Sequence, residues 1–437
     1  MIFSRLSMLK TPPLSSRRSP QRTSHSCRGW RLGGRALALC GLSMLLIAAV
    51  SAAEPIELTD QCPPSFDKTA AGRCLLVNLY QQYDSLQNRG IGGTRTSLPP
   101  HRDGFTPAQI DLGRYLFFDP VLSVNQSQSC ASCHHPEMGF SDNRARSMGA
   151  LGEQTPRSAP SLWNSAFLTR FFWDARATSL EGLVVEPLFG ASEMANSPDQ
   201  LLASLNALPG YRRLFAQAFP DRAQTDIRLH DIYTALAAFQ ASLISLNSRY
   251  DRYAHGYHQA LNAQEIAGLN VFRSFVARCA ECHTPPLFTN QQIAVIGTPE
   301  PEGQPRDIGA QQTFNAPKLR GGFKVPTLRN IASTAPYMHS GRFRSLREAV
   351  AFYTQGRGHA VPPGEDLQLH WHIWTPNLGD DEIDRLVDFL LTLSDETFKP
   401  AVPTRVPSGL TPVAHAGAAP SLAGQQAALA ASNGEPQ

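Results

Sequence analysis

The chain has 437 residues, 42% hydrophobic and 17% charged, enough apolar material for two or three ordinary cores. A small scaffold, a collagen-like repeat and a wholly disordered chain are therefore excluded. Formal charge is +3, but eight of the 39 basic residues and none of the 36 acidic ones lie in residues 1–53, so the remainder is net acidic and no nucleic-acid partner is expected.

Taken in chain order, residues 1–53 read as a signal peptide. A basic stretch ending at Arg35 precedes an apolar run over 36–50 and the small residues Ser51-Ala52-Ala53. Cleavage near Ala53 predicts export by the general secretory route to the periplasm, with no stable membrane span left; an uncleaved anchor is the alternative, the run being just long enough to cross a bilayer. Residues 54–105, rich in Pro, Gly and Arg, form a loop-rich extension. In it Cys62 and Cys74, twelve apart, are expected to join as a disulfide in an oxidising compartment.

Thr106-Pro107-Ala108-Gln109 is a capping signal for a helix carrying Ile110, Leu112, Tyr115, Leu116 and Phe117. Helical periodicity follows over about 197–218 and 226–248. Asn262-Ala263-Gln264-Glu265 opens another helix, with Ile266, Leu269, Phe272 and Val276 on one stripe, and a last one runs over 381–393 with acids in its first turn. No alternating strand pattern of useful length occurs, so the body is mainly α. From 401 to 437 the composition of Pro, Ala, Ser and Gly predicts a disordered low-complexity tail.

Four cysteines occur as Cys130-Ala131-Ser132-Cys133-His134 and Cys279-Ala280-Glu281-Cys282-His283. C-x-x-C-H is the attachment pattern of c-type haem, in which two thiols add to the vinyl groups and the histidine takes one axial iron position. Two copies predict two covalently bound haem c groups. A redox C-x-x-C or half a zinc site would leave the adjacent His unexplained in both copies.

Two such motifs, each preceded by a helix, resemble the bacterial dihaem cytochrome c peroxidase superfamily. Further stretches carry the resemblance: Pro136-x-x-Gly139-Phe140-Ser141-Asp142, Ala159-Pro160-Ser161-Leu162-Trp163-Asn164, Phe172-Trp173-Asp174-Ala175-Arg176-Ala177 and Glu193-Met194 in the first half, and Lys324-Val325-Pro326-Thr327-Leu328-Arg329-Asn330 and Thr334-Ala335-Pro336-Tyr337-Met338-His339 in the second. The resemblance covers about 105–395 and implies two cytochrome c-like haem domains packed together, here 106–250 and 251–400, the first being peroxide-reactive.

Two departures from the peroxidases proper bear on function. Their first haem has a distal His shortly after the motif, whereas no His occurs here between His135 and His230. Met148, in the matching stretch, is the rival to an open or water-bound iron. At the second haem, where those enzymes use Met, counting from the Thr-x-Pro signature reaches Tyr353, and no Met follows Met338. Tyrosinate is a hard anionic donor that favours oxidised iron; the lesser alternative is that Tyr353 is a half-buried core tyrosine and another group ligates.

An open first haem with Tyr on the second resembles the MauG group, whose members use hydrogen peroxide to reach a high-valent state shared by two haems and then oxidise a residue of a partner protein. That resemblance makes Trp173 the residue between the haems, Glu193 the distal carboxylate, and His339 a second-haem distal-side residue. It also implies calcium between the domains, held by the Thr334 and Pro336 carbonyls and, where the family has Asn, by Ser158. Residues 398–410 and Trp371-His372-Ile373-Trp374 resemble a methanobactin-associated branch, with Trp371 and Trp374 as candidate exits for oxidising equivalents. The competing expectation is a periplasmic peroxidase fed electrons by a small cytochrome or cupredoxin. A purely electron-carrying dihaem protein with both irons closed is a third.

Overall fold

The computed structural model describes residues 55–82, 90, 93–222, 225–354, 361, 364–395 and 397–413, and residues 54–437 form one compact unit. The expected signal segment and the end of the expected tail, 414–437, lie outside the described residues.

The order is β1 (Phe66–Lys68), β2 (Cys74–Leu76), α1 (Leu79–Gln82), α2 (Pro107–Phe118), α3 (Leu180–Phe189), α4 (Pro198–Ala207), α5 (Pro209–Ala218), α6 (Leu229–Ala241), α7 (Arg249–Ala254), α8 (Ala263–Phe272), α9 (Cys279–Cys282), β3 (Ile293–Val295), α10 (Ala310–Phe314), β4 (Gly322–Lys324), α11 (Leu346–Thr354) and α12 (Asp380–Leu391). The described chain is thus mainly α. Its strands form two antiparallel pairs of three residues, β1 with β2 and β3 with β4, too short to show as alternation in the sequence.

Both capping signals act as read. The Thr106 hydroxyl accepts from the Gln109 N–H and the Gln109 side chain accepts from the Thr106 N–H, and Asn262 and Glu265 repeat the exchange for α8. Two expectations need correction. The pattern over 197–218 is two helices, because Pro209 lacks the N–H that a continuous helix requires. The stripe of α8 stops at Phe272, leaving Val276 48% exposed.

The two halves repeat one packing device. Helix α2 crosses α6 at Gly113, where a Cβ would stand 1.9 Å from the Ala235 carbonyl oxygen; α8 crosses α12 at Gly268, where it would stand 1.8 Å from that of Arg385. Only glycine lets the backbones meet this closely, and in each crossing a phenylalanine, Phe239 or Phe389, packs beside it. The first core joins α2, α4, α5 and α6; the second joins α7, α8 and α12 around Tyr250, Phe272, Phe288 and Phe389.

The extension is closed on itself by a disulfide and tied to the body by a tyrosine. Cys62 and Cys74 are disulfide-bonded, and Tyr80 donates to Asp251, which pairs with Arg329 at 2.6 and 2.7 Å, all three side chains buried. Residues 401–413, assigned to the tail on composition, instead lie along the first half. Val406 is buried, and the Ser408 hydroxyl donates to Asp119 at 2.7 Å. One apolar side chain and one buried acceptor anchor a segment whose average composition predicts nothing.

Candidate functional site

Each C-x-x-C-H segment is one tight turn, a 3-10 turn at Cys130–Ser132 and α9 in the second half, with the histidine N–H donating to the first cysteine carbonyl at 2.9 Å and 2.8 Å respectively. All four thiols are unpaired. Burial pushes Cys130, Cys133 and Cys279 up to about 12 and raises Cys282, so each presents neutral sulfur. His134 Nδ1 lies 2.8 Å from the Phe140 carbonyl oxygen, and His283 Nδ1 lies 3.1 Å from that of Pro326 and 3.2 Å from that of Phe288. With Nδ1–H donated to a carbonyl, the neutral imidazole keeps the Nε2 lone pair for an axial bond. Burial lowers both imidazole pKa values, that of His283 to about 4, which keeps the rings neutral. Two sulfurs and one oriented imidazole in each half fit covalent haem c.

The carbonyls are aimed by unusual backbone. Phe140 has φ +57° and Phe288 φ +55°, the left-handed region that bulky residues avoid at a cost of about 1–2 kcal/mol. Both rings are fully buried, which contributes about 1.5–3 kcal/mol each and outweighs that cost. The left-handed backbone of neither residue is legible from the sequence.

Glu193 follows α3. Its carbonyl accepts the Ala150 N–H at 2.7 Å, and Gly149 lies so close that a Cβ would stand 2.2 Å from the Ser192 carbonyl oxygen, so the loop 147–155 and Glu193 form one wall. The Glu193 carboxyl makes no hydrogen bond with any described residue. Burial raises its pKa, opposed by Arg176, and its charge is felt at both Cys130 and Cys133, which sets it beside the first motif. Met148 lies in the same loop, paired across it with Gln154.

Tyr353, near the end of α11, is half-buried, with its ring edge-on to Phe352 at 5.3 Å and its hydroxyl without a hydrogen bond among the described residues. Burial holds the phenol well above its ordinary pKa, and the Cys279 and Cys282 thiols act in the same direction, so Tyr353 stands beside the second motif. Such a phenol ionises only against a cation.

Trp173 bridges the halves: its indole N–H donates to the Ser158 carbonyl at 2.9 Å, its carbonyl accepts the Lys324 N–H at 2.7 Å, and its ring stands 6.4 Å from that of His339. His339 is buried, stacked on Phe323 at 3.7 Å and bonded to Glu300 at 2.9 Å. Burial works to raise the Glu300 carboxyl, but the hydrogen bond and charge of His339 together with the Asp307 N–H leave the carboxyl below its ordinary range. Arg157 reaches both Asp174, at 2.7 Å, and Asp307, at 2.9 Å. Glu300, Asp307 and Phe323 carry no motif, and only the folded chain brings them to this seam.

Ser158 meets the 334–339 turn through its N–H to His339 O, 2.8 Å, and its hydroxyl to Met338 O, 2.9 Å; the hydroxyl thus points to Met338 rather than completing a set with Thr334 and Pro336. The Thr334 and Pro336 carbonyls accept no hydrogen bond from a described residue, whereas the end of the Asn143 amide stands 3.0 Å from the Ser333 carbonyl oxygen and 3.1 Å from that of Ala335. Beside the second motif lies a surface cluster: Phe275, 75% exposed, and Trp374, 37% exposed, both covered by the Arg278 guanidinium at about 4 Å, with Trp371 69% exposed.

Comparison with known proteins agrees with this geometry. The family described as Di-haem cytochrome c peroxidase matches residues 107–259, and Cytochrome c matches residues 269–394. Methylamine utilization protein MauG of Methylorubrum extorquens is 36% identical over 297 residues, covering 68% of this chain and 81% of that one. Cytochrome c551 peroxidase of Nitrosomonas europaea is 33% identical over 295 residues, covering 67% and 82%. Among solved structures, a MauG-like protein associated with microbial copper homeostasis superposes with TM-score 0.63 at 34% identity, covering 68% of this chain and 93% of that one. The diheme peroxidase BthA from Burkholderia thailandensis gives 0.58 at 25%, covering 72% and 98%.

Proposed function

Because this chain belongs to the dihaem cytochrome c peroxidase and MauG family, a family of peroxidase-type oxidoreductases, we propose that it acts in the MauG manner, using hydrogen peroxide to oxidise a residue of a partner protein at a distance. The observation that carries this reading is the contrast between the two motifs, an unbonded, burial-raised carboxyl beside the first and a half-buried phenol held above its ordinary pKa beside the second. The haems, when bound, supply the peroxide reduction and hold its oxidising equivalents. Glu193 takes the proton from the near oxygen of peroxide and returns it to the far oxygen as that leaves as water, general acid-base work for which a raised pKa is suited. His134 and His283, oriented by the Phe140, Phe288 and Pro326 carbonyls, would hold the haem irons through Nε2. Tyr353 would help to hold the second haem iron through its phenolate oxygen, a hard anionic donor. Trp173, fixed by Ser158 and Lys324, is the path between the halves.

The cluster of Phe275, Trp374 and Trp371 is the exit toward the partner. The free Thr334 and Pro336 carbonyls suit a hard cation, with calcium the proposed occupant and Ser158 turned away from them. Export to the periplasm is supported by the Cys62–Cys74 disulfide. Among the described residues no helix is long and apolar enough to cross a membrane.

The test is to mix fully oxidised protein with peroxide without prior reduction. Prompt spectral reaction supports the proposal. Reaction only after one haem is reduced, followed by turnover with a cytochrome or cupredoxin donor, would identify a donor-driven peroxidase instead.

A further inference from the structure

Lys324 is a buried cation that the mechanism above leaves unused. It is 8% exposed, and no described residue offers its ammonium a hydrogen bond or a carboxylate. The cations nearby in the fold or sequence are different, since the half-buried Arg157 is held by Asp174 and Asp307, and the buried Arg329 by Asp251. An ammonium removed from water without an anion is costly, so a buried lysine in this state either loses its proton or awaits a negative group. Burial alone lowers its pKa to about 8, with no charged neighbour contributing.

The position says which negative group. Lys324 ends β4, and its N–H is bonded to the Trp173 carbonyl. Two residues on, the Pro326 carbonyl accepts from His283 Nδ1. The same short segment therefore links the bridging indole to the second axial histidine. Successive side chains of a strand point to opposite faces, so Phe323 stacks on His339 while Lys324 faces away from it. Attachment of haem c consumes its vinyl groups and leaves both propionates free and anionic.

We propose that Lys324 is the counter-cation of a haem propionate at the seam between the halves and that it raises the reduction potential of that haem. The inference rests on the dihaem reading. A fixed positive charge beside a haem favours the reduced state, which carries one more electron, so Lys324 biases the division of oxidising equivalents between the two irons. Its place on the Trp173 carbonyl puts that bias on the path between the halves.

The test is spectroelectrochemical titration of the holoprotein and of K324M and K324R, after a pyridine haemochrome assay has counted haems. Two haems per chain uphold the dihaem reading by themselves; any other count would overturn both. With two haems present, K324M is expected to lower one potential by about tenfold in the reduction equilibrium, about 59 mV for one electron, and K324R to restore it. Two unchanged potentials in K324M would overturn the inference while leaving the dihaem reading intact. If K324M fails to accumulate, resonance Raman of the wild-type protein decides: the haem propionate bending bands are expected to shift on exchange into heavy water, and bands that stay fixed would overturn it.

Discussion

The first and second halves of this molecule share a helix crossing at glycine, a C-x-x-C-H turn and a left-handed phenylalanine that orients the histidine, yet they differ in the titratable side chain that stands beside the motif. Beside the first motif stands Glu193, an acid able to exchange a proton; beside the second stands Tyr353, a donor that becomes anionic only against metal. The common scaffold suits a cofactor in each half, and under the proposed function the different side chain beside each motif separates a peroxide-reactive site from one closed for electron transfer. One duplicated architecture would thereby serve two roles, with Trp173 at the seam between them.

The strongest way to break this contrast is to remove the acid. E193Q is expected to slow the reaction of oxidised protein with peroxide by about 10²–10⁴-fold in rapid mixing, while Y353F leaves that rate unchanged and alters only the second haem spectrum. The Glu193 pKa is raised above the ordinary 4.5 by burial, so the wild-type rate falls as pH drops through that raised value and E193Q loses this acid limb. Equal losses in both variants would erase the distinction between the halves.

The next effect concerns stability. R329M leaves Asp251 buried without its cation and is expected to cost about 3–5 kcal/mol in denaturant unfolding. Burial opposes the Asp251 charge, but Arg329 outweighs it and depresses the carboxyl pKa. The pair therefore stabilises fully above the unfolded carboxylate pKa, and that stability is lost as pH falls through the folded value; R329M should lack this component of acid sensitivity.

The smallest predicted effect sharpens the shared part of the comparison. G113A and G268A each force a methyl against a helix backbone and should each cost about 1–3 kcal/mol in unfolding, by similar amounts because the crossings are alike. A large effect in one and none in the other would mean that the halves are not equivalent scaffolds.

Local signals in the sequence carried far. The two C-x-x-C-H turns and the capping boxes at Thr106 and Asn262 are contained within a few residues, so spacing sufficed to read them. Glu193, Trp173 and Tyr353 came from resemblance, and the fold sets each beside a motif or at the seam. What spacing could not convey depends on distant partners: the left-handed Phe140 and Phe288, the Glu300–His339 pair, and Lys324 without a counter-ion. Val276 continues the apolar stripe in sequence and yet lies at the surface, because α8 ends before reaching it. Residues 401–413 show the converse, a chain of tail-like composition held down by Val406 and Ser408.

The most direct measurement adds stoichiometric hydrogen peroxide to oxidised, never reduced protein and follows the spectrum from the visible into the near infrared, in wild type and in W173F. The account predicts a lasting oxidised species in wild type with a near-infrared band shared by two haems, and a weakened band in W173F. Absence of any reaction until one haem has been reduced would contradict it.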